Sequence, residues 1–249
     1  MRAPKLAVTV FVFAAIAILP AAAACSNATL KGAYGYYHGR PGGSQSGIKG
    51  VVGQIVADGQ GILTASWTFS MNGAISTGTS SGTYSISSNC TGTLTFNNED
   101  LSPANFSVVL DDAAHGFQMI QTDSGTTQLG FGLAQGTVTC GLTGKKQTFA
   151  TNLSGILFAN SEVEAIVGRL TLDGKGNIVG DEIFSMFGAI SEVPVTGTYT
   201  QQADCTGTAQ LTPSGSATTH FNTVVVNGGK EMLLIETDNN TLITRTAQE

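Results

Sequence analysis

The chain reads as short runs of alternating apolar and polar residues that are separated by Gly, Asn or Asp. Strict alternation is typical of a half-buried β-strand, because successive side chains of a strand point to opposite faces. No stretch of useful length has the apolar spacing of an amphipathic helix. The pattern predicts an all-β protein whose first half has strands near residues 32–38, 48–57, 61–70, 80–87, 91–97, 104–111, 116–122 and 126–135. The second half has predicted strands near residues 154–160, 163–172, 176–186, 194–202, 206–212, 219–226, 231–237 and 241–246.

The second half of the chain repeats the first half at an offset of 115 residues. Residues 52–123 align with residues 167–238 without a gap, and 24 of the 72 positions are identical. The identities fall mainly on turn and core residue types. The front ends align differently, since Leu30-Lys31-Gly32 matches Leu153-Ser154-Gly155 only at an offset of 123, which predicts a shorter first connection in the second copy. A duplication of this length predicts two domains of similar structure.

Turn residues join neighbouring runs into hairpins. Asp58-Gly59 and Asp173-Gly174 each lie between two alternating runs, and Asp-Gly is a strong signal for a two-residue type I′ turn. Eight sequential antiparallel strands have two sheet edges, and closure into a barrel removes both of them. The predicted fold is therefore two tandem eight-stranded antiparallel up-and-down β-barrels, with two β-sandwiches as the alternative.

The N-terminal segment predicts export. A basic start precedes an apolar run that ends at Pro20, and Ala22-x-Ala24 matches a signal-peptidase cleavage signature. This predicts a signal peptide over residues 1–24, followed by barrel repeats over residues 25–140 and 141–249. No later apolar stretch is long enough to span a membrane as a helix. The mature protein is therefore expected in the periplasm, at the cell surface or outside the cell.

The four cysteines repeat one spacing. Cys25 and Cys90 are 65 residues apart, as are Cys140 and Cys205. In an exported chain this even and duplicated arrangement predicts one disulfide in each repeat. Two alternatives stay open at this point: a pairing between the repeats, and a lipoprotein in which Cys25 carries the lipid. No Cys-x-x-Cys pair is present, so no zinc site is predicted.

Charge excludes one class of partner, and no residue pattern predicts catalysis. The formal net charge is −6, which argues against nucleic acid as a partner. No Gly-x-Ser-x-Gly motif is present, and the sequence predicts no catalytic residue, cofactor or metal site. The sequence-adjacent acidic groups are interpreted as solvated sheet surface, and the three histidines as surface residues: Asp111-Asp112, Asp181-Glu182, Glu162 with Glu164, His38, His115 and His220.

Three aromatic residues are the candidates for a ligand-binding site. Trp67 is the only tryptophan, and the second repeat has no aromatic residue at the equivalent position. Tyr34 and Tyr36 lie on the first predicted strand, and at the front-end offset their counterparts are Leu157 and Ala159. If all three aromatic side chains point inward, they line the first barrel, and an eight-stranded barrel has room for side chains or for one small ligand. Plain core packing is the alternative.

Several motifs resemble those of known proteins. Gly82-Thr83-Tyr84 followed by Cys90-Thr91-Gly92-Thr93, with Asp-Gly-x-Gly at Asp58 and Asp173, resembles a tandem β-repeat of uncharacterised exported bacterial proteins. This resemblance covers both repeats and implies no known activity. At the level of the fold, eight strands per repeat are similar to the calycins, the lipocalin and avidin barrels that hold small apolar ligands. The lipocalin Gly-x-Trp is replaced here by Gly32-Ala33-Tyr34, so the likeness to calycins is one of fold only.

Two function classes follow. The first is an exported, non-enzymatic binding protein that holds a small, largely apolar ligand in one or both barrels. The second is a structural or cell-surface interaction protein whose barrels are filled with side chains. An open interior lined by aromatic and small residues favours the first class, and large side chains that fill the interior favour the second. An enzyme ranks third, because no acid, base or nucleophile stands out.

Overall fold

Sixteen strands form two barrels. The computed structural model describes residues 24–39, 47–99, 102–111, 115–136, 140–159 and 161–249, so residues 1–23 of the predicted signal peptide lie outside the described part. The first barrel contains β1 (Lys31–Gly39), β2 (Lys49–Asp58), β3 (Ile62–Met71), β4 (Ala74–Ile86), β5 (Thr91–Glu99), β6 (Ser102–Leu110), β7 (Gly116–Gln121) and β8 (Leu129–Ala134). The second contains β9 (Gln147–Leu157), β10 (Glu162–Leu172), β11 (Asn177–Met186), β12 (Ala189–Gln201), β13 (Thr206–Pro213), β14 (Thr219–Val226), β15 (Glu231–Glu236) and β16 (Thr241–Gln248). One turn of 3-10 helix, Asn227–Gly229, connects β14 to β15.

Each barrel is an up-and-down meander. Every strand pairs antiparallel with the next one in sequence, and each sheet closes because β8 pairs with β1 and β16 pairs with β9. Closure pairs both edges of each sheet. The predicted tandem barrels are confirmed, and the alternative of two sandwiches is excluded. Within the described ranges, no helix has the length and apolar character needed to cross a membrane.

The hairpin between β2 and β3 forms where Asp58-Gly59 predicts it, but its turn is wider than the predicted type I′ turn. Three residues connect the strands, and Gly59 and Gly61 have φ angles of +84° and +120°. The Asp58 carboxylate accepts hydrogen bonds from the backbone N–H groups of residues 60, 61 and 62, at 2.6 to 3.0 Å, and these bonds hold the wider loop. Asn72-Gly73, in contrast, has positive φ at both residues, as a two-residue type I′ turn requires.

One disulfide closes within each repeat, as the spacing predicts. Cys25 bonds to Cys90 and Cys140 bonds to Cys205, with Cα atoms 5.0 and 5.1 Å apart. The pairing between repeats is thereby excluded. The lipoprotein alternative is also wrong for this structure, because the Cys25 sulfur that a lipid would need is in the disulfide. Cys140 packs in the core of the second barrel. The two disulfides indicate an oxidising, exported compartment.

The structure corrects the predicted front of the second repeat. The sequence predicts a strand near 154–160, whereas β9 begins at residue 147. Tyr34 pairs with Ile55 in the first barrel, and Phe149 pairs with Leu170, the repeat counterpart of Ile55, in the second. The offset of 115 therefore holds for β1 and β9 as well, and the offset of 123 is wrong. The polar, Thr-rich start of β9 conceals its alternation.

Two consequences follow for the aromatic candidates and for the first connection. Tyr34 is equivalent to Phe149 and Tyr36 to Thr151, so Leu157 and Ala159 are not their counterparts. The second barrel therefore has an aromatic ring on its first strand too. The prediction of a shorter first connection is confirmed, since residues 40–48 join β1 to β2 and residues 158–161 join β9 to β10.

The two barrels pack side by side through an apolar cluster between their outer surfaces. In the first barrel, the contact is centred on outward residues of β2 and the residue before it, which we name the β2 face: Ile48, Gly50, Val52 and Gln54. Tyr37 on β1 and Phe131 and Leu133 on β8 pack against the same cluster. In the second barrel it is centred on outward residues of β14, β15 and β16, which we name the β15 face: Val224, Val226, Leu233, Ile235 and Leu242. Residues 49–55 of β2 are consequently buried on both sides of the sheet, unlike a strand that faces solvent.

Hydrogen bonds fix the relative position of the barrels around this apolar contact. The Asn240 backbone N–H donates to the Gly73 carbonyl at 2.9 Å. The Asn222 amide donates to the Thr68 hydroxyl at 2.7 Å, which joins β14 to β3. Apolar burial supplies most of the attraction at such a contact, and the hydrogen bonds select one register.

Candidate functional site

Aromatic rings fill the interior of the first barrel. Tyr36 and Phe96 stack with ring centroids 5.4 Å apart, and Phe96 meets Phe106 edge-on at 5.9 Å. Tyr34 packs at 5.8 Å from Phe117. Tyr36, Phe96 and Phe106 are at most 1% exposed. Tilted and offset contacts of this kind are the favourable geometries for aromatic pairs, so the two candidate tyrosines are part of a packed core.

Trp67 lies at the edge of this core. Its ring covers Gly78 on β4 and lies 6.4 Å from the ring of Phe69, and the indole is partly exposed. A Cβ at Gly78 would come within 2.5 Å of the indole, so only glycine fits under the ring. The Tyr36 ring packs over Gly53, close to the Trp67 backbone. A Cβ at Gly53 would lie 2.7 Å from the Tyr36 ring and 3.0 Å from the Trp67 Cα. The indole Nε1 is buried without a hydrogen-bond partner among the described residues.

His38 is fully buried, so the surface position predicted for it is wrong. Its Nδ1 lies 2.7 Å from the Gln128 Oε1, and its ring is 5.0 Å from the ring of Phe106. The sequence carries the signal for this position, because His38 continues the alternation of Tyr34 and Tyr36 and so shares their inward face. A buried imidazole needs a polar partner, which Gln128 provides.

The other two histidines lie toward solvent, as predicted. His115 is exposed. His220 is partly exposed, with its Nδ1 2.9 Å from the Asp238 carboxylate. The same carboxylate accepts the His220 backbone N–H at 2.8 Å, so this pair closes the end of a hairpin. Its geometry is that of a local turn contact.

The second barrel is filled mainly by aliphatic side chains, with Phe149, Tyr199 and Phe221 among them. A cavity of about 20 Å³ lies among them, lined by residues that include Phe149, Leu170, Tyr199 and Met232. That volume is close to the smallest that holds a single water molecule. The interior of the second barrel is therefore also a packed core.

Three glutamates are buried on inward positions of the second barrel: Glu164 on β10, Glu182 on β11 and Glu236 on β15. The interpretation of Glu164 and Glu182 as solvated surface is therefore wrong, although Asp181 is exposed. Each of the three has an interaction partner, as a buried charge requires. In the part of the chain that the structure describes, no group of three or more His, Cys, Asp or Glu side chains has the geometry of a metal site.

The repeat alignment carries a signal for these glutamates. Glu182 is the counterpart of Trp67, and Glu164 is the counterpart of Lys49. Lys49 is itself buried, with its Nζ 4.9 Å from the centre of the Phe69 ring. Equivalent inward positions thus hold a tryptophan and a lysine in one barrel and two glutamates in the other. The two interiors share their backbone path but differ in charge.

The carboxylates that both repeats share have structural roles. Hydrogen bonds from backbone N–H groups, that of Gln60 first, hold the pKa of Asp58 below its usual value. The Tyr84 hydroxyl donates to the Leu30 carbonyl at 2.9 Å and accepts the Gly59 N–H at 2.7 Å, and burial raises its pKa. In the second barrel the Tyr199 hydroxyl makes a similar bond and donates to the Leu142 carbonyl at 3.1 Å. The shared Asp and Tyr therefore tie a turn to the end of each barrel.

Among the openings that the described residues leave between the barrels, two are large. A polar cleft of about 390 Å³ is lined mainly by hydroxyl and amide side chains, among them Ser66, Thr68, Thr79, Thr208 and Asn222. A mainly apolar groove of about 470 Å³ is lined by Tyr37, Ile48, Leu129, Ile156, Val163 and Leu242, among others. Both openings exceed the cavity inside the second barrel. Trp67, one of the three predicted ligand-binding residues, lies in the lining of the polar cleft. Sequence reasoning missed the openings themselves, because the repeat pattern does not tell which outer faces of the barrels meet.

No protein-family model and no curated protein matches this chain. The resemblance to a repeat of exported bacterial proteins therefore stays a prediction from motifs. The barrel fold rests on the structure itself.

Proposed function

We propose that the protein is a non-enzymatic interaction protein of the exported compartment, in which two filled barrels support outer sheet faces that contact a partner. The predicted signal peptide over residues 1–24 would direct it to the periplasm, the cell surface or the medium. The observation that carries this proposal is the packing of both interiors. Aromatic rings fill the first barrel, and a cavity of about 20 Å³ lies inside the second.

The interior volume supports the second of the two function classes predicted from the sequence. Sites for small molecules usually enclose roughly 300 to 1,000 Å³. The interior cavity of the second barrel is more than tenfold smaller than that range. The packed Tyr36, Phe96 and Phe106 rings of the first barrel support the same choice. A ligand inside either barrel would have to displace several core side chains.

The positions of the acidic groups support a non-enzymatic role. Asp58 and Asp173 accept backbone N–H groups in turns, and Asp123 accepts the backbone and the side chain of Asn105. Retaining or inverting hydrolysis needs two carboxyl groups that face one open site. These carboxylates instead hold loops in place.

A small, largely apolar ligand is the second candidate, and one observation favours it outside the barrels. The groove of about 470 Å³ between the barrels is within the volume range of small-molecule sites and is mainly apolar. Ile156 lies on its wall. A ligand of this second kind would contact Ile156 rather than Trp67, Tyr34 and Tyr36.

The test is a denaturing organic extraction of the protein purified from its native host, followed by mass spectrometry of the released molecules. We expect no compound in molar proportion to the protein. A compound in molar proportion would overturn the proposal. Its loss in the Ile156→Asp variant, but not in the matched Val179→Asp variant on an outer face away from the groove, would assign it to the groove.

A further inference from the structure

The contact between the two barrels uses different faces of the same repeat. The first barrel contributes its β2 face and the second contributes its β15 face, and these lie on non-equivalent strands. The contact is therefore heterologous. The duplication gives each face a counterpart: the β10 face of the second barrel (Val163, Ala165, Val167 and Arg169) and the β7 face of the first barrel (Val109, Asp111, Gln118, Ile120 and Thr127).

The β10 face has apolar residues at the same positions as the β2 face, although the β10 face is exposed to solvent. Val52, at the centre of the contact between the barrels, is 3% exposed, and its identical counterpart Val167 is 53% exposed. Ile48 packs against the apolar cluster, and its counterpart Val163 is exposed. Exposed β-branched residues in one patch on a sheet face indicate a contact surface rather than a random surface composition.

The β7 face matches the β15 face in the same way. Val224 and Ile235 are buried between the barrels at 4% and 0% exposure. Their identical counterparts, Val109 and Ile120, are 54% and 46% exposed. Val52, Ile48, Val224 and Ile235 of the internal contact thus have apolar counterparts on the two free faces of the chain, whereas Tyr37, Phe131 and Leu133 have the polar counterparts Asn152, Thr246 and Gln248.

Side-chain size is also compensated across the two free faces. Gly50 on the β2 face makes room for Leu242, since a Cβ there would lie 2.6 Å from the leucine Cδ1. The counterparts are Ala165 and Thr127. Ala165 adds a methyl group where the internal contact has Gly50, and Thr127 has a shorter side chain than Leu242, so the two changes offset each other in volume.

Charge is complementary at the neighbouring position. Gln54 pairs across the strands with Gly35, and Gly35 lies against Val226 of the second barrel. The counterpart of Gln54 is Arg169, which pairs with Ala150 in the same register, and the counterpart of Val226 is Asp111. Arg169 and Asp111 are both exposed. Two adjacent neutral residues in the internal contact are thus replaced by an opposite pair on the free faces.

The tip of the hairpin at Phe187-Gly188 extends the similarity between the free faces and the internal contact. Gly73 accepts the Asn240 backbone N–H between the barrels, and its counterpart in the second barrel is Gly188. Phe187, directly before Gly188, has a φ of +49° and is 76% exposed. The counterpart of Asn240 is Gly125, whose φ of +77° is close to the +66° of Asn240. The tip at Phe187-Gly188 therefore has a partner of the right backbone shape on the first barrel.

We propose that a second copy of this chain docks its β7 face on the β10 face, in the way that the two barrels of one chain contact each other. This inference rests on the proposed interaction function and names its partner. Gln118, Asp111 and Thr127 replace Leu233, Val226 and Leu242, so the contact between chains is weaker than the internal one and depends on concentration. The two faces of a barrel lie three strands apart among eight, not on opposite sides, so successive chains turn relative to one another and form a ring or a helical assembly rather than a straight filament.

The test is sedimentation velocity of the purified full protein over a range of concentrations up to its solubility limit. We expect the mean mass to rise with concentration from the monomer to oligomers. Val167→Glu on the β10 face and Ile120→Glu on the β7 face should each abolish the association. Val179→Glu is the matched control, because Val179 is equally exposed on the outer side of β11, but its counterpart Thr64 lies outside the contact between the barrels.

A mixture distinguishes this contact from a two-fold one. Each single variant keeps one intact face, so Val167→Glu mixed with Ile120→Glu should form a 1:1 heterodimer and stop there. Arg169→Glu and Asp111→Arg should each weaken the association, and the double variant with the swapped charges should recover it. Circular dichroism melting of each variant shows whether the fold is retained, and only folded variants are compared.

Three results would overturn the inference. The first is a monomer at every concentration, and the second is an association that the β10 and β7 variants leave unchanged. The third is a monomer whose binding to phosphatidylcholine vesicles is lost in the same variants, because the faces would then contact lipid. In each case the wider interaction function stands unless the organic extraction releases a compound in molar proportion.

Discussion

Removal of the Phe96 ring tests whether the first barrel is a filled support. Phe96 is fully buried between Tyr36 at 5.4 Å and Phe106 at 5.9 Å. Replacement of a buried phenylalanine by alanine costs about 3 to 5 kcal/mol, because the apolar transfer energy is lost and a cavity stays behind. The loss of two ring contacts places Phe96→Ala in the upper part of that range. A whole domain is typically stable by only about 5 to 15 kcal/mol, so the effect is large.

The single tryptophan gives the assay a local probe. Trp67 lies in the first barrel and lines the cleft beside the second, so its fluorescence during guanidinium unfolding reports the first barrel and its contact with the second. We expect Phe96→Ala to lower the midpoint of the Trp67 transition strongly. The matched variant is Leu211→Ala at the equivalent buried position of the second barrel. It should shift the circular dichroism transition and move the Trp67 midpoint much less.

One outcome would refute this reasoning. An unchanged Trp67 midpoint in a folded Phe96→Ala protein would mean that the ring does not fill the interior. The first barrel would then have to be treated as an open ligand cavity.

Three further predictions concern the turns, the disulfides and pH. Tyr84→Phe should lower the free energy of unfolding by about 1 to 3 kcal/mol, because it leaves a buried carbonyl without its donor. Tyr199→Phe should lower the free energy of unfolding less, since fewer hydrogen bonds are lost. Chemical denaturation measures both variants, and equal losses would contradict the role of the turn contact. Replacement of the Cys25–Cys90 pair by serines should lower the free energy of unfolding by about 2 to 5 kcal/mol, because the unfolded chain gains conformational freedom. Thermal melting without reductant measures the loss, and an unchanged melting temperature would contradict a stabilising role of this disulfide. Hydrogen bonds from Asn177 lower the pKa of Asp173 to about 2, so the carboxylate stabilises the fold above its unfolded pKa of about 4, and this contribution is lost as the pH falls toward 2. Unfolding midpoints from pH 2 to 6 should fall less steeply for Asp173→Asn, and identical slopes would contradict this.

Local chemistry made the fold predictable from the sequence. The Asp-Gly and Asn-Gly turns, the alternating runs and the repeated cysteine spacing each act over short distances or within one repeat. They led to sixteen strands, closed barrels and the disulfides. The prediction failed at the start of β9, where threonines at positions such as Thr148 and Thr151 take the places of apolar residues, so the alternation of buried and exposed positions is hard to see.

The candidate site was harder to predict, since it depends on contacts between distant parts of the chain. His38 and Glu182 were misplaced because polar residues were assumed to face solvent, although alternation and the repeat alignment place both inward. No pattern in the sequence distinguishes Val52 from Val167, which are identical residues in identical repeat positions. One is buried and the other exposed only because the second barrel covers the β2 face and nothing in the single chain covers the β10 face.

The most direct test of the account is the mass of the intact protein, purified from its native host and sprayed under native conditions at several concentrations. The account predicts masses that are whole multiples of the processed, doubly disulfide-bonded chain, with no added small molecule and with the larger species favoured at high concentration. A monomer that carries the mass of one bound compound at every concentration would contradict it.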